Sequence, residues 1–393
     1  MATSALEGML TFSDAVEYLQ QFTGGAALDV SQADIRAAVL DAYERVSQEK
    51  VWQYHLMPWR LHMQAPYSTG TITYTNSTRT CTISGGSWPS WAVFGRIKIG
   101  NIFSTIESVS SADAILSEAN NPGEDVAAGT SFTLYRVRYP LPADFRAMHS
   151  LMDENRTWEQ RYLNPHEWLR IERHLTQGTN RFAWTITGDP DTYSGYSIRV
   201  SGYSGSHETM DFVLLRHPRA LVYSGYDPDV DHPGTVDDFG GITLTGGSTA
   251  WEAAMVGSLI RIGRGDLVTS PAPTGRRGLN PYIAQAVILT HASATEITVD
   301  TSLGLTGPLR CLVTDPVDLP RELGLSFLKC CQYQLLANRQ HKDADKYWAR
   351  YAAELQVALE NQSLVLREMV AGGWRWSVDW GNFWWQFGNV SAS

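Results

Sequence analysis

Two β-rich stretches of the sequence carry the same landmarks in the same order, and this internal repeat restricts the fold more than any other feature. The first runs from Gly70-Thr-Ile to Trp91-Ala-Val-Phe-Gly-Arg-Ile-Lys-Ile-Gly100, and the second from Gly234-Thr-Val to Ala253-Ala-Met-Val-Gly-Ser-Leu-Ile-Arg-Ile-Gly263. Thr, Val, Ile and Gly dominate both stretches, in the alternation that is typical of short strands. We therefore predict two small antiparallel β modules that repeat each other.

Both modules continue in the same way. A Ser-Ala-rich turn follows inside a strand pair, and each module closes on an extended Leu-Pro segment, at Tyr139-Pro-Leu-Pro142 and at Val317-Asp-Leu-Pro320. The second copy carries an insertion at 264–281 that is rich in Gly, Pro and Arg. Because so short a module buries a small fraction of its surface when alone, we expect both to be stabilised by neighbouring elements.

The two ends of the chain are predicted to be helical. At the N-terminal end, Ser31 with Asp34 forms the capping-box pattern that begins a striped helix. Two further helices are expected near the C-terminal end, separated by a polar turn at 341–343. The residues expected to hold these helices together are Ile35, Val39 and Val46 near the N-terminus, and Leu328, Leu335, Trp348, Leu355 and Leu359 near the C-terminus.

These elements together predict an α+β fold. In this prediction the N- and C-terminal helices form a helical-bundle framework that carries two inserted antiparallel β modules and a mixed α/β middle region. The predicted boundaries are 1–67 for the N-terminal helices, 68–139 for the first module, 140–232 for the middle region, 233–319 for the second module, 320–371 for the C-terminal helices and 372–393 for a Trp-rich tail.

The tail has an unusual concentration of aromatic residues. An exposed set of this kind would promote aggregation of a free subunit, so we expect it to dock on another chain and supply anchoring side chains there. Folding back onto its own core is the alternative. The predicted docking residues are Trp374, Trp376, Trp380, Phe383, Trp384, Trp385 and Phe387.

No linear motif for catalysis, cofactor binding or metal binding is present, and we predict no enzyme activity and no cofactor. Asp227, Asp229 and Asp231 resemble the start of a calcium loop, but the glycine and the closing glutamate of that loop are missing. His166 and His174 lie eight residues apart and do not form a zinc motif. A glycosidase that uses two facing carboxylates stays open as an alternative, because catalytic groups need only meet in space.

Charge and targeting features limit the partners. The net charge is −10 with no block of Lys and Arg, which argues against a protein that grips nucleic acid by neutralising phosphates. The N-terminus shows no export signal, and no apolar run has the length of a membrane span. The four cysteines form no metal or disulfide pattern, so we expect reduced, buried thiols in a chain that is made in a cytoplasm and used in an assembly.

Three segments follow one another in a distinctive order. They are the capped helix Val30–Val46, the element Tyr139-Pro-Leu-Pro-Ala-Asp-Phe-Arg146, and the series from Gly188-Asp-Pro-Asp through Tyr196-Ser-Ile-Arg-Val to Asp211-Phe-Val-Leu-Leu-Arg-His-Pro218. In this order they resemble the head-to-tail adaptor proteins of tailed phages, above all those of short-tailed phages. From the first to the last of them they span residues 30–218, about half of the chain, and their order carries the resemblance. None of the three is a catalytic signature.

The resemblance implies a structural protein of the virion neck. It implies a closed homo-oligomeric ring, a dodecamer, that lies under the portal protein and joins the capsid to a tail nozzle, tube or fibre protein. DNA would pass through the lumen during packaging and ejection without sequence-specific binding, and no membrane would be involved. An acidic chain would repel the DNA backbone, so we expect a lumen with few Lys and Arg residues.

A second interpretation is a receptor- or glycan-binding protein of the virion, such as a tail or fibre component. Its β modules would bind glycans through exposed tryptophans, for which Trp88, Trp91 and Trp251 are the candidates.

Overall fold

The computed structural model describes residues 9–25, 30–152, 161–169, 183–188, 195–200, 208–225, 234–263 and 282–371. The chain divides into two compact units. One consists of Met1–Lys50 with Arg219–Ser393, and the other of Val51–Pro218.

The unit Val51–Pro218 is built from strands. They are β1 (Leu56–Met63), β2 (Thr71–Thr75), β3 (Thr80–Ser84), β4 (Arg96–Ile99), β5 (Ile102–Ser110), β6 (Asp113–Leu116), β7 (Val126–Thr130), β8 (Phe132–Tyr135), β9 (Tyr139–Pro140), β10 (Phe145–Met152), β11 (Arg161–Tyr162), β12 (Ala183–Gly188), β13 (Tyr196–Val200) and β14 (Glu208–Arg216). Short 3-10 turns occur at Gln53–His55 and Glu118–Asn120, and a helical stretch at 165–169.

Two of its sheets share one core. The first has the order β1-β14-β10 and the second the order β11-β12-β13-β9. Leu61 and Phe212 from the first sheet pack in the same buried cluster as Trp184 and Ile198 from the second. The ring of Trp59 meets Phe212 edge-on, with centroids 4.6 Å apart. Aromatic cross-strand pairs of this kind stabilise sheets, which explains why these aromatic segments form strands.

The third sheet of this unit is inserted between β1 and β9. Its seven strands follow the order β7-β2-β3-β6-β5-β4-β8 and curl around one core. On β4 the residues alternate, so Ile97 and Ile99 are buried inside while Arg96 and Lys98 face outward. The edge strands β7 and β8 are consecutive in the chain, separated only by Ser131. We refer to this curled sheet as the first barrel, although its edge strands β7 and β8 are not paired with each other.

The unit Met1–Lys50 with Arg219–Ser393 contains a closed six-stranded barrel and four long helices among its described residues. The helices are α1 (Phe12–Gly25), α2 (Gln32–Gln48), α3 (Gly324–Asn338) and α4 (Ala344–Ala371). The strands are β15 (Gly234–Gly240), β16 (Thr243–Gly247), β17 (Leu259–Ile262), β18 (Ala284–Ser293), β19 (Glu296–Val299) and β20 (Leu309–Thr314), with 3-10 turns at Ala253–Met255 and Arg321–Leu323.

This second barrel closes in the order β15-β16-β19-β18-β17-β20, which is the order of the first barrel with β20 in the place of β7 and β8 together. The backbone hydrogen bonds and φ angles just before β4 and β17 also correspond. Phe94 N–H donates to the carbonyl of Ile106 at 2.8 Å, and Gly257 N–H donates to the carbonyl of Ile288 at 2.7 Å. Both donors have positive φ, +59° and +85°. The two barrels therefore repeat each other in strand order and in local hydrogen bonding.

The predicted fold class was wrong. Strands account for 39% and helices for 28% of the part of the protein that the structure describes, and this part is not organised around a helical-bundle framework. The described part of the middle region, expected to include Trp-rich helices, forms mainly the strands β9–β14. The physical reason is that Trp59 and Trp184 find aromatic and aliphatic partners across neighbouring strands. Tertiary packing of this kind overrides a helical reading of apolar spacing.

Candidate interaction surface

The stripes of α2 and α3 are covered within the chain. Ile35 is 3% exposed, Val39 and Val46 are fully buried, and Leu335 on α3 is 1% exposed, while Leu328 is half-buried. Tyr43 of α2 meets Phe327 of α3 edge-on at 6.2 Å between ring centroids. These apolar side chains form the seam between α2 and α3, and they are not available to another molecule.

The predicted capping box of α2 is confirmed. Asp34 N–H donates to Ser31 Oγ at 3.1 Å, and Ser31 N–H donates to an Asp34 carboxylate oxygen at 3.3 Å. Arg339, just beyond α3, donates to the same carboxylate at 2.7 Å. The Arg339 hydrogen bond, followed by that from Ser31, holds the pKa of the Asp34 carboxyl below its usual value. The start of α2 is thus tied to the end of α3.

The start of α4 is fixed by an aromatic and cationic cluster. The Arg45 guanidinium of α2 lies over the Trp348 ring at 4.6 Å and over the Tyr333 ring at 5.4 Å. Trp348 also lies 5.3 Å from the ring of Tyr351. Stacked cations and rings attract each other electrostatically, so this cluster sets the orientation of Trp348. The indole is nevertheless 36% exposed.

The buried side chains next to this cluster carry no charge at neutral pH. Tyr351 is fully buried and donates to Glu49 at 3.2 Å, and its burial raises the pKa of the phenol. Burial likewise raises the pKa of the Cys330 thiol to about 12 and that of Cys331 well above its usual value. Thiols without thiolate character are poor nucleophiles, so these cysteines act as small core residues.

An apolar stripe on α4 is only partly covered by the rest of the chain. Trp348, Ala352, Leu355 and Leu359 follow the spacing of one helix face, and we call them the outer stripe. Trp348 and Ala352 are exposed, whereas Leu355 and Leu359 are half-buried. The neighbouring face, through Tyr351 and Ala358, is buried against the rest of the unit. The outer stripe is therefore an apolar face that this chain covers only in part.

Helix α4 is also much longer than its antiparallel neighbour. It has 28 residues and α3 has 15, and at about 1.5 Å per residue these correspond to lengths of roughly 42 and 22 Å. The turn at 339–343 joins the two helices, which run antiparallel and side by side from that turn. Because α4 is the longer helix, its last part extends about 20 Å beyond the first residue of α3.

Several predicted residues lie outside the described structure. They are the tail residues from Trp374 to Phe387, the acidic loop with Asp227, Asp229 and Asp231, and His174. His166 is described and is exposed. In the part of the chain that is described, no group of three or more His, Cys, Asp or Glu residues is placed to hold a metal ion.

The tryptophans considered for glycan binding are mostly internal. Trp88 is 8% exposed and donates its indole N–H to the carbonyl of Ala112 at 2.9 Å. Trp251 is 2% exposed inside the second barrel, and Trp91 packs against the core of the first. Buried indoles cannot stack on a sugar, so these positions do not favour the glycan-binding interpretation.

Sequence reasoning missed two features of this surface. Ala352 lies at the centre of the outer stripe but is too small to mark a hydrophobic face. The Arg45 guanidinium holds Trp348 from another helix, and no local pattern connects residues so far apart. A spacing of four, three and four residues from Trp348 to Leu359 was the signal that could have identified the stripe.

Comparison of the chain with protein-family models, with curated proteins and with solved structures gave no match. Among the described residues, no helix combines the length and the apolar character that crossing a membrane would require.

Proposed function

We propose that this chain is a structural subunit of a phage head-to-tail connector, an adaptor that forms a closed ring beneath the portal protein and carries out no catalysis. The proposal combines the resemblance of the three sequence segments with the outer stripe of α4. The ring would join the capsid to the tail component below and leave a passage for DNA.

The outer stripe is the observation that carries the proposal. A helix face with Trp348 at 36% exposure and two half-buried leucines leaves apolar surface in contact with water. Burying it against another molecule is favourable by about 25 cal/mol for each Å² removed from water. Trp residues held rigidly by neighbours are frequent anchors of protein interfaces, and Arg45 and Tyr333 hold this one.

A ring requires that one face of a subunit binds a different face of the next. Such heterologous contacts form a closed ring when a whole number of the rotations from one subunit to the next adds up to 360°. The outer stripe would form one half of this contact, and twelve copies is the number that the resemblance implies. The net charge of −10 fits a lumen past which DNA slides, because like charges repel.

A matched pair of substitutions tests the outer stripe. Ala352 and Ala353 are adjacent, both exposed, and about 100° apart around α4, so only Ala352 lies on the stripe. Ala352→Glu places a charge on the stripe without removing any packed side chain. Ala353→Glu has the same helix-propensity cost and serves as the control. Mass photometry of the purified full-length chain measures the assembly of each.

We expect the wild-type chain and Ala353→Glu to form the same closed oligomer, and Ala352→Glu to remain a monomer with unchanged helix content by circular dichroism. Equal assembly of the two variants would show that the stripe is not the subunit interface. A wild-type chain that stays monomeric at every concentration would contradict the ring itself.

The tail is proposed to dock on a partner, the portal protein above the ring. Deleting residues 372–393 should then leave a folded subunit that forms rings but no longer attaches to portal rings. Circular dichroism and co-sedimentation with purified portal rings measure the two properties. Loss of folding on deletion would instead assign the tail to the core of its own subunit.

A further inference from the structure

One end of the second barrel carries apolar side chains where the first barrel carries an ion pair. The backbone shows which positions correspond. Val299 N–H donates to the carbonyl of Ile242 at 2.8 Å, at the start of β16. In the first barrel, Leu116 N–H donates to the carbonyl of Arg79 at 2.9 Å, at the start of β3. Ile242 and Arg79 therefore occupy equivalent positions.

A bulge in the neighbouring strand gives a second pair of equivalent positions. Glu107 is the bulged residue of β5 in its pairing with β6, and Leu289 is the bulged residue of β18 in its pairing with β19. Glu107 pairs with Arg79 at 3.1 Å. The second barrel has leucine and isoleucine at these two positions, so an apolar pair replaces the charged pair.

These apolar side chains are exposed. Ile242 is 51% exposed, Leu289 49% and Val256 41%. Val256 comes directly before Gly257, whose N–H donates to the carbonyl of Ile288, so Val256 lies beside Leu289. We call Ile242, Val256 and Leu289 the barrel patch. Adjacent exposed apolar side chains of this kind mark interaction sites, because covering them removes apolar surface from water.

The barrel patch and the outer stripe lie on opposite sides of the same unit. Around the closed barrel, β19, which runs between the strands of the patch, is opposite β20. Helix α1 packs on β20, where Ser13 N–H donates to Thr314 Oγ1 at 3.1 Å. Helix α4 lies on the α1 side, since the rings of Tyr347 and Phe22 meet edge-on at 5.3 Å. One chain therefore cannot cover its own barrel patch with its own outer stripe.

The charges beside the two surfaces are complementary. Within 234–263 and 282–314, the exposed charged side chains are all acidic, and they are Asp237, Asp238, Glu252, Glu296 and Asp300. Asp300 is next to the patch, because its carboxylate accepts from Val287 N–H on β18 at 2.9 Å. At the outer stripe, the Arg45 guanidinium lies over Trp348, its side chain is 38% exposed, and Glu49 is 4.0 Å away. Opposite charges at the rim of an interface favour encounter and fix orientation.

We propose that the barrel patch binds the outer stripe of a second copy of this chain. The inference rests on the proposed ring and names the second face that a ring needs. Each subunit offers one stripe and one patch, so every contact leaves a free stripe at one end and a free patch at the other. Addition of subunits continues until the last patch meets the first stripe.

The first barrel supplies the test variant. Ile242→Arg with Leu289→Glu gives the second barrel the charged pair that the first carries at the equivalent positions, so we expect it to fold. The matched control is Ile102→Arg with Val93→Glu, which exchanges two exposed apolar residues of the first barrel for the same two charged types. Leu289→Thr is a milder variant that keeps a strand-forming residue. Circular dichroism and thermal melting check that each full-length variant is folded.

Analytical ultracentrifugation measures assembly over a range of concentrations. We expect the wild-type chain and the control to form the same rings. The charged pair should raise the concentration needed for assembly by at least about tenfold, because charges buried without partners are costly. Leu289→Thr should raise it less. Equal assembly of the wild-type chain and the charged-pair variant would overturn this inference and leave the ring itself standing.

A mixing experiment tests the pairing of the two faces. Ala352→Glu spoils the outer stripe and keeps the barrel patch, and the charged-pair variant does the reverse. Each alone should be monomeric, and an equal mixture should give dimers that do not grow further. Dimers of the charged-pair variant alone would show that stripe binds stripe, and a mixture that stays monomeric would show that the two faces do not bind each other. A wild-type chain that never assembles would contradict the ring, and this inference with it.

Discussion

Asp14 of α1 forms an ion pair with Arg261 of β17, 2.9 Å apart. This pair allows a sharp prediction about how α1 packs on the second barrel. Arg261 is 1% exposed and its guanidinium lies 4.5 Å from the ring centre of Tyr282, whereas the side chain of Asp14 is 24% exposed. The two partners are thus unequally buried. We predict that Asp14→Asn loosens α1 more than Arg261→Met does.

The magnitude follows from this inequality. Removing one partner of a fully buried pair costs about 3–5 kcal/mol, because the other charge is left in the interior. Asp14 is partly hydrated and asparagine keeps a hydrogen-bond acceptor, so for Asp14→Asn we expect about 2 kcal/mol. After Arg261→Met, the remaining carboxylate reaches water and the methionine fills the volume, so we expect about 1 kcal/mol or less.

Hydrogen exchange of the α1 amides is the suitable assay, because it reports local opening and needs no two-state unfolding of this large chain. A loss of about 2 kcal/mol corresponds to roughly 30-fold faster exchange, and one of about 1 kcal/mol to roughly fivefold. The double variant should exchange more slowly than Asp14→Asn alone. Faster exchange in Arg261→Met than in Asp14→Asn would contradict the unequal burial of the two partners as the cause.

Three further predictions concern single groups. Native Cys330 should resist iodoacetamide at pH 8, because burial raises its pKa to about 12, and should react after unfolding in urea; rapid native labelling would contradict this. Because the folded-state pKa of Asp34 is lowered, its stabilising contribution is present above the ordinary value of 3.8 and lost as the pH falls through the folded value. Asp34→Asn should therefore flatten the acid end of a pH-stability profile, and an unchanged profile would count against the pairing with Arg339. Gly257→Ala should lower the melting temperature, because alanine would have to adopt a positive φ there and its Cβ would collide with Arg219 Nη1. An unchanged melting temperature would contradict the close packing at this position.

Local chemistry made part of this fold predictable. The pair Ser31 and Asp34 marked the start of α2 because a capping box depends on residues three apart. The repeated landmarks around Gly95 and Gly257 indicated two related β modules because both barrels use a tight entry into the same strand.

The strand-rich framework could not be predicted from spacing. The pairing of β1 with β14 joins residues about 150 positions apart, as with Trp59 and Phe212. The candidate surface has the same limit. Apolar spacing identified Trp348, Leu355 and Leu359 together with Ile35 and Val39, but only the packed structure separates the covered seam from the outer stripe.

The most direct test of the proposed function is electron microscopy of the purified full-length chain. Particle images and their rotational symmetry show whether the chain builds a ring with an open centre. We predict closed rings, with α4 of each subunit at the contact to the next. Single particles of the size of one 43.7 kDa chain, at concentrations where virion components assemble, would contradict it.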